Sequence, residues 1–435
     1  MHRVWAVFCL LLLAPALSAD EWVYTVRPGD NLWNFSNEYL KGVEYWPKVK
    51  ALNGITHPRQ LQPGTRLRIP VAWLKHQPKP ARLIALHGDV KHQPTGGTAR
   101  AAKVGMSVFS GDAIETGPGG SATIEFADGS RLLIETGSRV VMDTLGVFRE
   151  TGMVDTSLRL ERGRVESTVK PLKENSRFQI NTPAAVAAVR GTRYRVQADA
   201  DHAIMRSEVL EGNVGVTGAD VTQNVAAGFG TVAEAGRPPA PPRALLPAPE
   251  LAGLPRRIGP DERRLSWPAL SGAETYRAQL SADPSFSALL MDQALTGPAV
   301  ELPRLALGDY VFRVRAGDDL GLEGQSAVHS FTVAMAPTAP SPTTPGDGAQ
   351  ITINQPWLAW HAVEQAASYV VQIAKDKAFA QDADTIAGIH TTHYKSPVPL
   401  PDGHYYWRVA AVDAYGLRSE FSAARGFVLV GRPEP

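Results

Sequence analysis

The last third of this 435-residue chain repeats itself, and that repeat is the strongest limit on what the chain can fold into. Trp267 is followed nine residues later by Tyr276, and Trp360 nine residues later by Tyr369. Further along, Gly308 matches Gly403, Tyr310 matches Tyr405, Phe312 matches Trp407, Arg313 matches Arg408, Asp318 matches Asp413 and Gly321 matches Gly416. The residues between alternate in polarity with the two-residue period of strands. An early tryptophan and a late Tyr-x-aromatic-Arg-Val strand, placed alike in two copies of about 90 residues, predict a pair of β-sandwiches with these aromatics in the core. A shared core must recur in both copies, whereas a binding site need not.

The other end of the chain reads differently. Tyr24 to Pro70 runs as a short strand, Pro28-Gly29-Asp30, a helix, a second helix closing on Asn53-Gly54, then Leu61-Gln62-Pro63-Gly64 into a last strand. Asp30 is expected to cap a helix from about Asn31 to Leu40. Gly29 suits the tight turn before it, and Pro47 suits the first position of the second helix. Leu32, Phe35, Tyr39, Val49 and Leu52 would make a very small core.

Between these ends lie short strands punctuated by glycine. Ala122, Ile124 and Phe126 alternate with Thr123 and Glu125, and Asp128-Gly129 turns into Leu132 and Ile134. Phe178-Gln179-Ile180 and Arg193-Tyr194-Arg195-Val196 alternate too. The pattern predicts an all-β sandwich, barrel or solenoid over 81–235. Three proline-rich segments, Lys75–Pro80, Gly236–Glu250 (within a linker drawn at 236–254) and Ala336–Gly348, are expected to be semi-rigid spacers.

Three resemblances follow from these residues. Residues 20–74 resemble a LysM module, a βααβ unit that binds N-acetylglucosamine-containing glycans; the resemblance implies peptidoglycan as ligand. It implies a shallow groove lined by two loops, here Gly29, Asp30, Asn31 and Leu32 with Asn53, Gly54 and Ile55. Asn31 stands where the family more often has Ser or Thr. Residues 81–235 look like a FecR domain, on the strength of Thr182–Thr192, with its Thr-Pro, its alanines and its Val-Arg-Gly-Thr. FecR reads an outer-membrane receptor and controls a sigma factor, but this chain departs from that plan. It shows no cytoplasmic N-terminal segment with a following span, and what carries over is a periplasmic β module that binds protein. Arg190 is the candidate contact there; a structural ion pair beside a close-packed Ala/Gly turn is its alternative role. Residues 255–335 and 337–435 look like tandem fibronectin type III domains, expected to serve partner binding or spacing and not glycan binding.

Residues 1–19 read as a secretory signal. Arg3 supplies the charge, Val4–Leu13 is too short to span a bilayer, and cleavage is expected near Ala19. The only cysteine, Cys9, lies inside it, so thiol catalysis is excluded from the mature chain. No later apolar run is long enough to span a membrane, and a net charge of +1 with scattered Lys and Arg argues against nucleic acid. No catalytic signature, cofactor or metal site is legible. His390 and His393 would point to opposite faces of a strand, and Asp382 with Asp384 read as solvated carboxylates. Trp22, Trp33 and Trp46 are candidate sugar platforms, with completion of the small core as the alternative for Trp33 and Trp46.

The expectation is a multidomain, mainly β, periplasmic and non-catalytic peptidoglycan-binding protein. Its β domains would face envelope protein partners, and a FecR-type sensory component is the alternative. The pure protein should release no soluble muropeptides from sacculi beyond a denatured control, since no nucleophile–base or metal set is present. Release by the native protein alone would overturn this.

Overall fold

The computed structural model describes residues 20–149, 151–380 and 383–431. The predicted signal, with Cys9, and Asp382 lie outside them. The chain is mainly β and forms two compact units, 1–244 and 245–435.

In the first unit, β1 (Glu21–Thr25) and β2 (Arg66–Pro70) pair antiparallel. Between them run α1 (Leu32–Tyr39) and α2 (Trp46–Leu52). Tyr24, Leu32, Phe35, Tyr39, Val49, Leu67 and Ile69 are buried together. Leu52 is 39% exposed and is not part of that core. The core draws instead on residues outside the module: Met153, 1% exposed, belongs to the cluster, and Phe148 packs against it. Both come from the hairpin joining strands Arg139–Phe148 and Met153–Thr168 of the next domain. The Asn175 side chain adds a 2.8 Å hydrogen bond to the Glu21 carbonyl.

The proline-rich segment at 75–80 is therefore not a spacer. His76–Pro78 forms β3, antiparallel to Gly146–Phe148. The Lys79 N–H donates to the Leu145 carbonyl at 3.1 Å, so the alternate positions, Pro78 and Pro80, turn their nitrogens away from that neighbour. Proline is tolerated there because the missing donor is not needed.

The rest of this unit is a closed barrel whose strands fall into two sheets. The long strand Met153–Thr168 belongs to both. Its first part pairs with Arg139–Phe148 and, in parallel, with Arg177–Asn181; its last part pairs with Arg131–Ile134 and Arg193–Asp199. Gly163 lies where it passes from one sheet to the other. Its φ is +90°, and a Cβ would sit 2.5 Å from the Ser138 Cα, so only glycine fits the corner. Leu83, Ile124, Leu132, Leu158, Phe178 and Val196 fill the interior. Arg243–Ala244 pairs with Phe229–Gly230 and joins the barrel, so the middle of the 236–250 segment is part of a sheet.

The second unit holds the two repeats. The first has a five-stranded sheet with Gly308–Gly317 central and a pair formed by Arg264–Ser266 and Ala299–Glu301. The second has the matching five-stranded sheet around Gly403–Val412 and a three-stranded sheet of Pro342–Thr344, Trp357–Trp360 and His393–Lys395. Trp267 and Trp360 are 5% and 3% exposed; their rings lie 5.7 Å from Tyr276 and 5.3 Å from Tyr369. The two tyrosines make the same bond, accepting from the Leu270 N–H at 2.8 Å and the Val363 N–H at 3.0 Å. Phe312 and Trp407 are fully buried beside them. The repeated aromatics are core.

The third proline-rich segment does not insulate the repeats either. Pro342–Thr344 is already a strand of the second copy. Asp413 Oδ1 accepts from the Tyr415 and Leu417 N–H groups, closing a turn, while its Oδ2 stands 3.2 Å from Arg257 Nε of the first copy. The Arg257 guanidinium also lies 5.6 Å from the Tyr415 ring centroid. Composition marks these segments as extended, but extended chain beside an open sheet edge becomes a strand.

Trp360→Ala should cost about 3–5 kcal/mol, the usual loss on emptying a buried aromatic site. Calorimetry of the full chain should show one transition moved to lower temperature. Hydrogen exchange should place the loss in Trp357–Trp360 and Ser368–Ala374. An unchanged melt would remove Trp360 from the core.

Candidate functional site

The two loops of the N-terminal module are built around side chains that serve the backbone. At Arg27–Asp30, Gly29 has φ +90° and the Asp30 carboxylate turns inward. Its Oδ2 accepts from the Arg27 N–H and the Tyr24 hydroxyl, each at 2.7 Å. Burial, and after it this bond to Asp30, push the Tyr24 hydroxyl well above the usual tyrosine range. Asp30 is thus not the helix cap. The cap is Asn31, whose Oδ1 accepts from the Asn34 N–H at 2.9 Å. Either Asx residue suits the position, and Asp30 is already taken by Tyr24 and Arg27.

The second loop is held by Asn53. Its Nδ2 donates to the Val49 carbonyl at 3.0 Å and to the Arg68 carbonyl at 2.9 Å, and its Oδ1 accepts from the Arg68 N–H at 2.7 Å. One side chain therefore closes α2 and pins it to β2. Gly54 follows at φ +62° with open space around its missing Cβ. The Ile55 N–H donates back to the Lys50 carbonyl at 3.1 Å. The two loops then meet, because the Leu32 N–H donates to the Pro58 carbonyl at 3.0 Å.

The structure therefore brings the seven predicted residues into two bonded loops but leaves few of their side chains free. Asp30, Asn31 and Asn53 are engaged, Leu32 is fully buried, and Gly29 and Gly54 have none. Ile55 is half-buried against the core. The aromatic next to the cap does face solvent: Trp33 is 59% exposed, while Trp22 and Trp46 pack on the core. Helical spacing carried the missing signal, since Leu32 and Phe35 point inward and leave Trp33 on the outer side.

Residues 24–70 match the LysM domain family model, and residues 112–215 match the FecR protein family model. A curated relative from Deinococcus radiodurans, described only as an uncharacterized protein, is 42% identical over 48 residues, 11% of this chain. The chain spans about a fifth (19%) of that relative's length. Among solved structures, a protein named as an anti-sigma factor of Parabacteroides distasonis matches at 16% identity and TM-score 0.26, over 30% of this chain and 59% of that one. The chicken CNTN1 FN1-FN3 domains match at 14% identity and TM-score 0.33, over 54% and 97%. Clostridium thermocellum CbhA fibronectin(III)-like modules match at 12% identity and TM-score 0.30, over 42% and 94%. LysM and FecR are binding and regulatory families, and the two repeats are fibronectin III-like sandwiches by their strand pairing.

Elsewhere, Arg190 is exposed and forms no ion pair among the described residues, so the structural ion pair weighed for it is not made. The close-packed turn beside it is real: a Cβ on Gly191 would lie 2.8 Å from the Pro171 Cα. His390 bonds the Ala367 carbonyl at 3.1 Å, while His393 packs against Trp357 with the rings tilted. Among the described residues no cluster of three or more His, Cys, Asp or Glu could hold a metal, and no helix is long and apolar enough to cross a membrane.

Asn53→Ala removes three hydrogen bonds at once. It should destabilise the module by about 1.5–4.5 kcal/mol, given about 0.5–1.5 kcal/mol for each of the three net bonds. Faster exchange of the Arg68 amide, which donates to Asn53 Oδ1, would report it; exchange at the wild-type rate would show the staple to be idle.

Proposed function

We propose that this protein binds peptidoglycan through residues 24–70, without catalysis, as an exported protein of a bacterial periplasm. The observation that carries the reading is the LysM match over those residues, in a structure where the two loops are bonded through Leu32 and Pro58. Gly29, Asp30, Asn31, Leu32, Asn53, Gly54 and Ile55 frame the groove. Four of these side chains already support the fold, so the glycan is met by backbone groups, by Ile55 and by the exposed Trp33 ring. A shallow site of this kind buries little of a sugar, and single-site affinity is weak. The FecR and fibronectin III-like domains present β surfaces to envelope proteins, with the exposed Arg190 as one contact.

One observation supports a sensory reading beside this one. Met153 of the FecR-like barrel lies inside the N-terminal core, which gives a change at the glycan loops a packed route to a strand of the FecR-like domain. Under that reading, deleting the protein would abolish a transcriptional response to cell-wall stress.

The test of glycan binding uses the full chain. Trp33→Ala with Ile55→Ala should lower the affinity for purified sacculi in co-sedimentation about tenfold, equivalent to about 1.4 kcal/mol. A binding curve that overlays the wild type, with exchange showing the module folded, would end the reading.

A further inference from the structure

The two repeats share a core but not a surface. From Ile258 and Ile351 to Trp267 and Trp360 they align without a gap, offset by 93 residues, as the arithmetic 351 − 258 and 360 − 267 confirms. Over the same backbone positions the first copy reads Pro260-Asp261-Glu262-Arg263-Arg264 and the second reads Ile353-Asn354-Gln355-Pro356-Trp357. Four charged residues are replaced by none. The partner strand changes with it. Arg264 faces Glu301 in the first copy, and Trp357 faces Lys395 in the second; Ser266 faces Ala299, and Ala359 faces His393.

These changes fall on the outer face of the smaller sheet. Leu358 and Trp360 point into the core, so Trp357 and Ala359 point out. Trp357 is 52% exposed, and His393, diagonally across the ladder, packs against it with centroids 4.8 Å apart and the ring planes tilted by 36°. Lys395 is exposed at the next outward position. Ile353 and Val398, 63% and 66% exposed, lie along the continuation of the same ladder, which the Leu400 N–H to Asn354 carbonyl bond extends. The fold does not ask for a tryptophan here, because the first copy closes the same sheet with an arginine that faces a glutamate.

We propose that this Trp357–His393–Lys395 face is a second glycan contact, in which a pyranose ring of an acidic, peptide-bearing amino-sugar polymer stacks on the indole. The chemistry fits that occupant. A half-exposed indole braced on one side by a tilted imidazole is a flat platform for the apolar side of a sugar ring. Lys395 supplies the cation that a carboxylate-bearing strand needs, where the first copy has the repelling Glu301. The identity of the polymer rests on the reading of residues 24–70. Two weak contacts on one insoluble polymer reinforce each other, the second being intramolecular once the first is made.

The experiment uses the full chain and protein-free sacculi. Trp357→Arg with Lys395→Glu installs the pair that the first copy carries on the same backbone, so the sandwich should melt as the wild type does. Retention on sacculi should weaken about tenfold, the loss expected when one arm of a bivalent attachment is removed. Trp357→Ala is the second variant and should behave alike. Added sacculi should also slow amide exchange in His393–Lys395 of the wild type. If both variants bind as the wild type and exchange in this strand is unmoved, the proposal is wrong, whatever the Trp33/Ile55 variant does. If those variants bind sacculi normally and instead lose a cross-linked envelope protein, the face docks protein and the glycan assignment falls. If the Trp33/Ile55 variant alone keeps full binding while Trp357→Ala loses it, the N-terminal reading fails and this one stands.

Discussion

The first unit depends on one strand. Met153–Thr168 begins inside the core of the N-terminal module, runs through one sheet of the barrel, turns at Gly163 and ends in the other sheet. It is the only segment on which both sheets and the small module all draw, among the described residues. Met153 suits its end of that duty: an unbranched, polarizable side chain fills the gap that the short helices leave. Gly163 suits the middle, where a left-handed φ and a neighbouring backbone exclude every side chain. A module of roughly fifty residues has little core of its own, and borrowing from a larger neighbour is one way for it to be stable.

That borrowing changes how the protein is to be pictured. Proline-rich joints suggest modules strung on spacers. The structure instead absorbs the first joint into β3, and the third into the second sandwich. Arg257 and Asp413 then tie the repeats to each other. A carboxylate that already closes a turn with one oxygen is held firmly, so the second oxygen offers a fixed target; the arginine loses less freedom in meeting it than it would at a mobile side chain.

Much of this was legible in the residues. The paired aromatics of the repeats are core because two copies at one spacing have a common requirement, and Trp267, Trp360, Phe312 and Trp407 meet it. The loops of the N-terminal module were visible in their glycines and Asx residues. What sequence alone could not decide was which of two adjacent Asx side chains caps the helix. That depends on Tyr24, six residues from Asp30 and one strand away. Nor could it show that Leu52 faces solvent, or that Met153 arrives from a hundred residues further on to join the core. Proline content describes a segment's own preference and is silent about a sheet edge waiting beside it. The Trp357 face was available from the repeat alignment itself, in the positions where the copies disagree, but attention to matched residues passes over those.

Asn53 has one further consequence, in time and not in space. An asparagine followed by glycine is the sequence most prone to lose its amide, because the unhindered glycine nitrogen closes on the side-chain carbonyl. Here Nδ2 and Oδ1 are both engaged with β2, and the Gly54 N–H points to the Ala51 carbonyl at 3.4 Å. The folded module therefore guards its own ageing site. A chain that lingers unfolded is not guarded, and the aspartate it acquires would set a carboxylate against the Val49 and Arg68 carbonyls that the amide now satisfies. Damage gained before folding would be locked in afterwards as a looser loop.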